Sequence, residues 1–83
     1  MEDFIAKIEN IDSVSVFLTQ DRKEIFAFHG EVKEVVADSE IINLDLNQCE
    51  ITIDRSWGII QENEGDFIFD CGNGVWLYIY SLS

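Results

Sequence analysis

The stretch Ile42-Asn43-Leu44-Asp45-Leu46-Asn47-Gln48-Cys49-Glu50-Ile51-Thr52-Ile53-Asp54 decides the fold class. Apolar residues recur at every second position through Ile42, Leu44 and Leu46, and again through Cys49, Ile51 and Ile53. That period of two is the pattern of a strand with one buried face. Taking Asn47-Gln48 as a two-residue loop sets Leu46 opposite Cys49, Leu44 opposite Ile51 and Ile42 opposite Ile53. Every apolar residue then meets an apolar partner, and a slip of one residue would turn the whole set toward solvent. The same register puts Asn43, Asp45, Glu50, Thr52 and Asp54 on the other face, with Asp45 directly across from Glu50.

Downstream, a second hairpin runs through Phe67, Phe69 and Cys71, turns at Gly72-Asn73-Gly74 and returns through Val75, Leu77 and Ile79. A three-residue loop keeps the two triplets on one face, whereas a two-residue loop mixes them with Trp76 and Tyr78. The other face of the return strand then carries Trp76, Tyr78 and Tyr80, beside Ile68 and Asp70. Such an aromatic stripe serves either as a second core layer beneath a helix or as a contact surface. Between the hairpins, Trp57 to Gln61 forms a short strand and Glu62-Asn63-Glu64-Gly65-Asp66 an acidic loop.

Upstream, Val14, Val16 and Leu18 alternate with Ser13, Ser15, Phe17 and Thr19, and Asp21-Arg22-Lys23 marks a turn. A long strand follows from Glu24 to about Val36, with Gly30 marking a bend through which it pairs on both halves of a curled sheet. Glu2 to Asn10 reads differently, because Phe4, Ile5 and Ile8 recur at helical spacing. The expectation for residues 1–83 is therefore one mainly β (α+β) domain: a short N-terminal helix, then a five- or six-stranded antiparallel meander curled into a small barrel. With six Phe, two Trp and two Tyr in 83 residues, the chain has the material for one core without a metal or disulfide staple.

Charge bears most directly on function. Seventeen Asp and Glu against five Lys and Arg give a net charge of −12, beyond the range of about 2–8 in magnitude that keeps a small domain dispersed. Such an excess argues against nucleic acid and anionic membranes as direct ligands, which need cations to displace counterions, and favours a basic protein surface. The acidic start Met1-Glu2-Asp3-Phe4 is unlike a secretory leader, and no apolar run is of membrane-spanning length, which points to the cytoplasm. Cys49 and Cys71 fall at alternating apolar positions, as packed free thiols do.

No catalytic, metal or cofactor constellation is expected. His29 is the sole histidine, the two cysteines lie far from CxxC spacing, Ser56 sits in no nucleophile motif, and the Glu62–Asp66 loop lacks the spacing of a calcium loop. The expected activity is binding: an acidic module, an inhibitor or nucleic-acid mimic, engaging a basic protein such as a nuclease or a nucleic-acid-binding protein. Asp45, Glu50, Asp54, Glu62, Glu64 and Asp66 would stand in for phosphates, with Trp57 or Tyr80 as anchor. The alternatives are a homo-oligomer joined through unpaired edge strands and a barrel that sequesters a small ligand in a cavity lined by the aromatic stripe.

Over most of its length the order of elements resembles Sm-like proteins. The residues that carry the resemblance are Gly30 in a bent strand, Asp38 followed by Asn43-Leu44, and Phe69-Asp70-Cys71-Gly72-Asn73-Gly74-Val75 before the final strand. In that family an Asp with a nearby Asn belongs to one signature and a basic residue followed by Gly to the other, and those loops hold RNA inside a ring. The resemblance implies a barrel and a ring. Here Asp38 and Asn43 stand one residue too far apart, and Cys71 occupies the place of the basic residue, which removes the loop's attraction for a phosphate backbone.

Overall fold

The computed structural model describes residues 2–63 and 65–81. The helix α1 (Glu2–Ile8) is followed by β1 (Ser13–Gln20), β2 (Lys23–Glu31), β3 (Glu34–Ala37), β4 (Ile41–Asp45), β5 (Glu50–Asp54), β6 (Gly58–Asn63), β7 (Asp66–Gly72) and β8 (Val75–Ser81). These eight strands form two antiparallel sheets, one of five strands ordered β2-β1-β8-β7-β6 and one of three ordered β3-β4-β5.

Two expectations are corrected here. Among the described residues the strands do not close into a barrel, and they number eight rather than five or six. The long strand expected from Glu24 to Val36 is cut at Val32-Lys33, where Val32 N–H donates to Asp12 O at 2.8 Å and Lys33 N–H to Asp45 O at 2.8 Å. These two bonds hand the chain from one sheet to the other, two residues after the bend expected at Gly30. The meander is also broken, because β8 returns to pair with β1, Val16 opposite Ile79 and Leu18 opposite Leu77.

Both hairpin registers are as the alternation requires. Ile42 pairs with Ile53 and Leu44 with Ile51, and Leu46 N–H donates to Cys49 O at 2.8 Å across the Asn47-Gln48 loop. Phe67 pairs with Ile79 and Phe69 with Leu77, but the turn is tighter than expected: Gly72 pairs with Val75, and the irregularity falls at Cys71. Gly74 sits at φ +78°, and a Cβ there would run into the Asp21 carboxylate of the neighbouring β1–β2 turn. Glycine lets these two turns touch.

One core lies between the sheets, built from Val14, Val16, Phe67, Phe69, Leu77 and Ile79 on one side and Ile42, Leu44, Leu46 and Ile53 on the other. At seven residues, α1 is too short to be stable alone. It is held by Phe4 and Ile8, both essentially fully buried. The Phe4 ring meets Phe67 edge-on at 4.8 Å and Phe69 at 5.0 Å, contacts worth roughly 0.5–1.5 kcal/mol each beyond burial. The helix thus packs into the inter-sheet core, and the Trp76, Tyr78, Tyr80 stripe lies on the opposite face of the five-stranded sheet. Both cysteines are free and half-buried, and no helix of the described residues is long and apolar enough to cross a membrane.

Candidate functional site

The outward face of the three-stranded sheet is organised by register into cross-strand rows. Glu34 pairs with Asp45, and Asp45 with Glu50, so three carboxylates stand side by side across β3, β4 and β5. Strands lie about 4.8 Å apart, so the row spans roughly 10 Å. The next row is Val36, Asn43 and Thr52, in which Thr52 Oγ1 donates to Asn43 Oδ1 at 3.1 Å. Ile41 and Asp54 make the third. Val36 and Ile41 are 54% and 38% exposed, so the face combines negative charge with uncovered apolar surface.

Local hydrogen bonds fix the carboxylates at its margins. Asp38 Oδ1 accepts from Glu40 N–H at 2.7 Å and Ile41 N–H at 2.9 Å. The Ile41 and Glu40 amides, with a smaller contribution from the Arg55 charge, hold the Asp38 carboxyl below its ordinary pKa. Asp54 Oδ1 accepts from Ser56 N–H at 2.8 Å and Ser56 Oγ–H at 2.7 Å, which lowers its pKa in the same way. Hydrogen bonds to the charged form favour ionisation, so both groups stay negative to lower pH than an ordinary aspartate. Asp45 Oδ1 accepts from Asn47 N–H at 3.0 Å, tying the row to its hairpin loop. Arg55 Nη1 donates to Asp38 O at 2.6 Å, and a shallow depression of about 450 Å³, lined by Ser39, Glu40, Ile41, Asp54, Arg55 and Ser56, adjoins the face.

The residues singled out in the sequence separate into several places. Asp45, Glu50 and Asp54 share the face just described. Asp66 and Tyr80 pair with each other on the outward side of the five-stranded sheet. There burial, then Tyr78 and Asp66, raise the Tyr80 phenol above its ordinary pKa. Glu62 is exposed on the edge strand β6, and Glu64 lies outside the described residues. Trp57 is half-buried. It lines a mainly apolar cleft of about 310 Å³ between the sheets, with Leu18, Phe26, Cys49, Ile51 and Cys71. Burial, then the nearby Asp70, raises the Cys71 thiol above its ordinary pKa.

Glu34 was missed by sequence reasoning, because a continuous strand through Gly30 hides which neighbour it faces. No alternation marks it, since Glu34-Val35-Val36 sets two apolar residues side by side; only the β3–β4 pairing shows its neighbour. The aromatic stripe is half-buried on an open sheet face, with Phe17 5.7 Å from Tyr80 and near-perpendicular to His29 at 6.3 Å. On β1, beside Phe17, the hydroxyls of Ser15 and Thr19 are buried with no hydrogen-bond partner among the described residues. Among the described residues no group of three or more His, Cys, Asp and Glu is placed to hold a metal ion. Comparison with family models, with curated proteins and with solved structures gave no match.

Proposed function

We propose that this chain is a non-catalytic acidic binding module, an inhibitor or nucleic-acid mimic, that engages a basic protein through the outward face of its three-stranded sheet. The observation that carries the reading is the Glu34–Asp45–Glu50 row. Like charges directly opposite on neighbouring strands are unfavourable by roughly 0.2–1 kcal/mol per pair, and here one carboxylate suffers it from both sides. A partner's lysines and arginines would turn that cost into attraction. Exposed Val36 and Ile41 supply the apolar contact that a purely electrostatic encounter lacks.

The test is calorimetric titration against a panel of basic nucleases and nucleic-acid-binding proteins at increasing salt. Expected is affinity that weakens steadily with salt and is abolished by Asp45→Lys with Glu50→Lys. Affinity indifferent to salt or to that charge reversal would defeat the proposal.

A second reading, sequestration of a small apolar ligand, draws on the inter-sheet cleft, whose volume of about 310 Å³ falls at the lower end of small-ligand pockets, about 300–1,000 Å³. The expected aromatic lining is not what forms it: Trp57 contributes, but Trp76, Tyr78 and Tyr80 lie on the far side of the sheet. Quenching or enhancement of an environment-sensitive apolar dye, lost in Trp57→Ala and Leu18→Trp, would support it.

A further inference from the structure

Among the described residues strand β2 ends the five-stranded sheet, so its outward N–H and C=O groups face no other described strand of that sheet. Edge strands are ordinarily blunted by charges, prolines or shortness. β2 is nine residues long, and its centre reads Ile25-Phe26-Ala27-Phe28. Ile25 is 57% exposed and Phe26 47%. The centre of this edge is apolar and exposed, between the charged Lys23, Glu24 and Glu31.

Electrostatics single out the same segment. From Asp21 to Lys33 the three acids Asp21, Glu24 and Glu31 are cancelled by Arg22, Lys23 and Lys33, so this stretch is neutral in a chain of net charge −12. Three of the five Lys and Arg residues lie here. A second copy of this chain, repelled elsewhere by its own excess of carboxylates, meets least opposition along β2.

We propose that β2 pairs antiparallel with β2 of a second copy about a two-fold axis at Ala27, fusing two five-stranded sheets into one of ten strands. In this register Ala27 faces Ala27 of the second copy, Phe26 faces its Phe28, and the Arg22-Lys23 pair, beyond the irregularity at Ile25, lies nearest its Glu31. Each contact occurs twice, as an isologous interface requires. Phe26 and Phe28 already stack on one another at 6.4 Å, so the pairing builds a four-ring aromatic row.

Other registers fail on charge. Moving the axis to Phe28 sets Lys23 against Lys33 of the second copy, and moving it to Phe26 sets Glu31 against Asp21. Odd shifts bring the phenylalanine face against the opposite face. The irregularity between Leu18 and Thr19 leaves Ile25 outside the β1–β2 pairing, and the tandem Arg22-Lys23 keeps a cation beside Glu31 whichever way that residue is accommodated.

The test is sedimentation velocity over the micromolar range, combined with charge swaps and a cross-link. Expected is a monomer–dimer equilibrium that Lys23→Glu or Glu31→Lys alone weakens roughly tenfold and that the double variant restores. The swaps lie on exposed positions, and restoration in the double variant separates lost pairing from lost folding. In Ala27→Cys the two introduced thiols face each other with Cα atoms about 4.5–5.5 Å apart, within disulfide range, so mild oxidation should give a covalent dimer. A monomer throughout, a larger ring, failure of the double swap to restore, or a dimer that Ala27→Cys does not link would each overturn the proposal.

Discussion

Replacing Asp45 by Asn is expected to stabilise the protein while weakening its binding. Asp45 stands between Glu34 and Glu50, so one substitution removes two like-charge contacts. Exposure keeps each toward the middle of its range, about 0.5 kcal/mol, so the gain is about 1 kcal/mol. The isosteric amide keeps its Oδ1 and therefore the bond from Asn47 N–H at 3.0 Å, but as a neutral and weaker acceptor, so about 1 kcal/mol is the upper end of the gain. For a domain of this size about 1 kcal/mol raises the melting temperature by roughly 4–8 °C. Urea unfolding at low salt reads the gain directly, and repeating it near 1 M salt, where the Debye length falls to about 3 Å, should shrink it by more than half. Unchanged or lower stability at low salt, or a gain that persists in high salt, would refute the reasoning, because the row would then carry no repulsive cost.

Two further outcomes follow from the core and the acidic margin. Phe4→Ala should cost about 3–5 kcal/mol, a large share of the roughly 5–15 kcal/mol that holds a small domain together, and should release the helix; urea titration followed by far-ultraviolet circular dichroism measures both, and a loss near zero would mean that α1 is not seated on Phe67 and Phe69. Asp54 has a folded pKa below its unfolded one, so on acidification the unfolded state takes up the proton first. Its contribution is fully present above the ordinary carboxylate range and is lost as pH falls through the depressed value. Ser56→Ala removes one of the two donors, so Asp54 should titrate at higher pH by carbon-detected NMR, and an unchanged titration would discount the Ser56 Oγ bond.

Period-two alternation made both hairpins legible, because in each a register error would expose the whole apolar set. It also located Asp45, Glu50 and Asp54 on one face before any tertiary contact was known. What it could not reveal was long-range partnership. Nothing local in Ser13–Gln20 says that its second neighbour is the last strand, and that β1–β8 pairing is what prevents a simple meander. Similarly, Glu24 to Val36 holds no proline and no turn cluster, so the cut at Val32-Lys33 is set by hydrogen bonds to Asp12 and Asp45, residues distant in sequence. Glu34 went unseen for the same reason. Alternation alone leaves the aromatic stripe open between a core layer beneath the helix and a contact surface, because it does not say where the helix docks; the helix fills the gap between the sheets with Phe4.

The distribution of charge ties the two proposals together. A chain of net charge −12 that repelled its own copies everywhere would present its acidic face once per molecule. Placing three of its five cations within residues 21–33 leaves the stretch around β2 neutral while the three-stranded sheet stays negative, and the two features belong to different sheets. A dimer through β2 would therefore carry two acidic faces without consuming either. Toward a partner with two basic sites within reach, the second contact becomes intramolecular, and avidity can exceed single-site affinity by about 10²–10⁴-fold. The two surfaces are separable by mutation on this account: Asp45→Lys with Glu50→Lys should abolish binding and leave the dimer, whereas Lys23→Glu should leave single-site affinity intact and remove only the avidity.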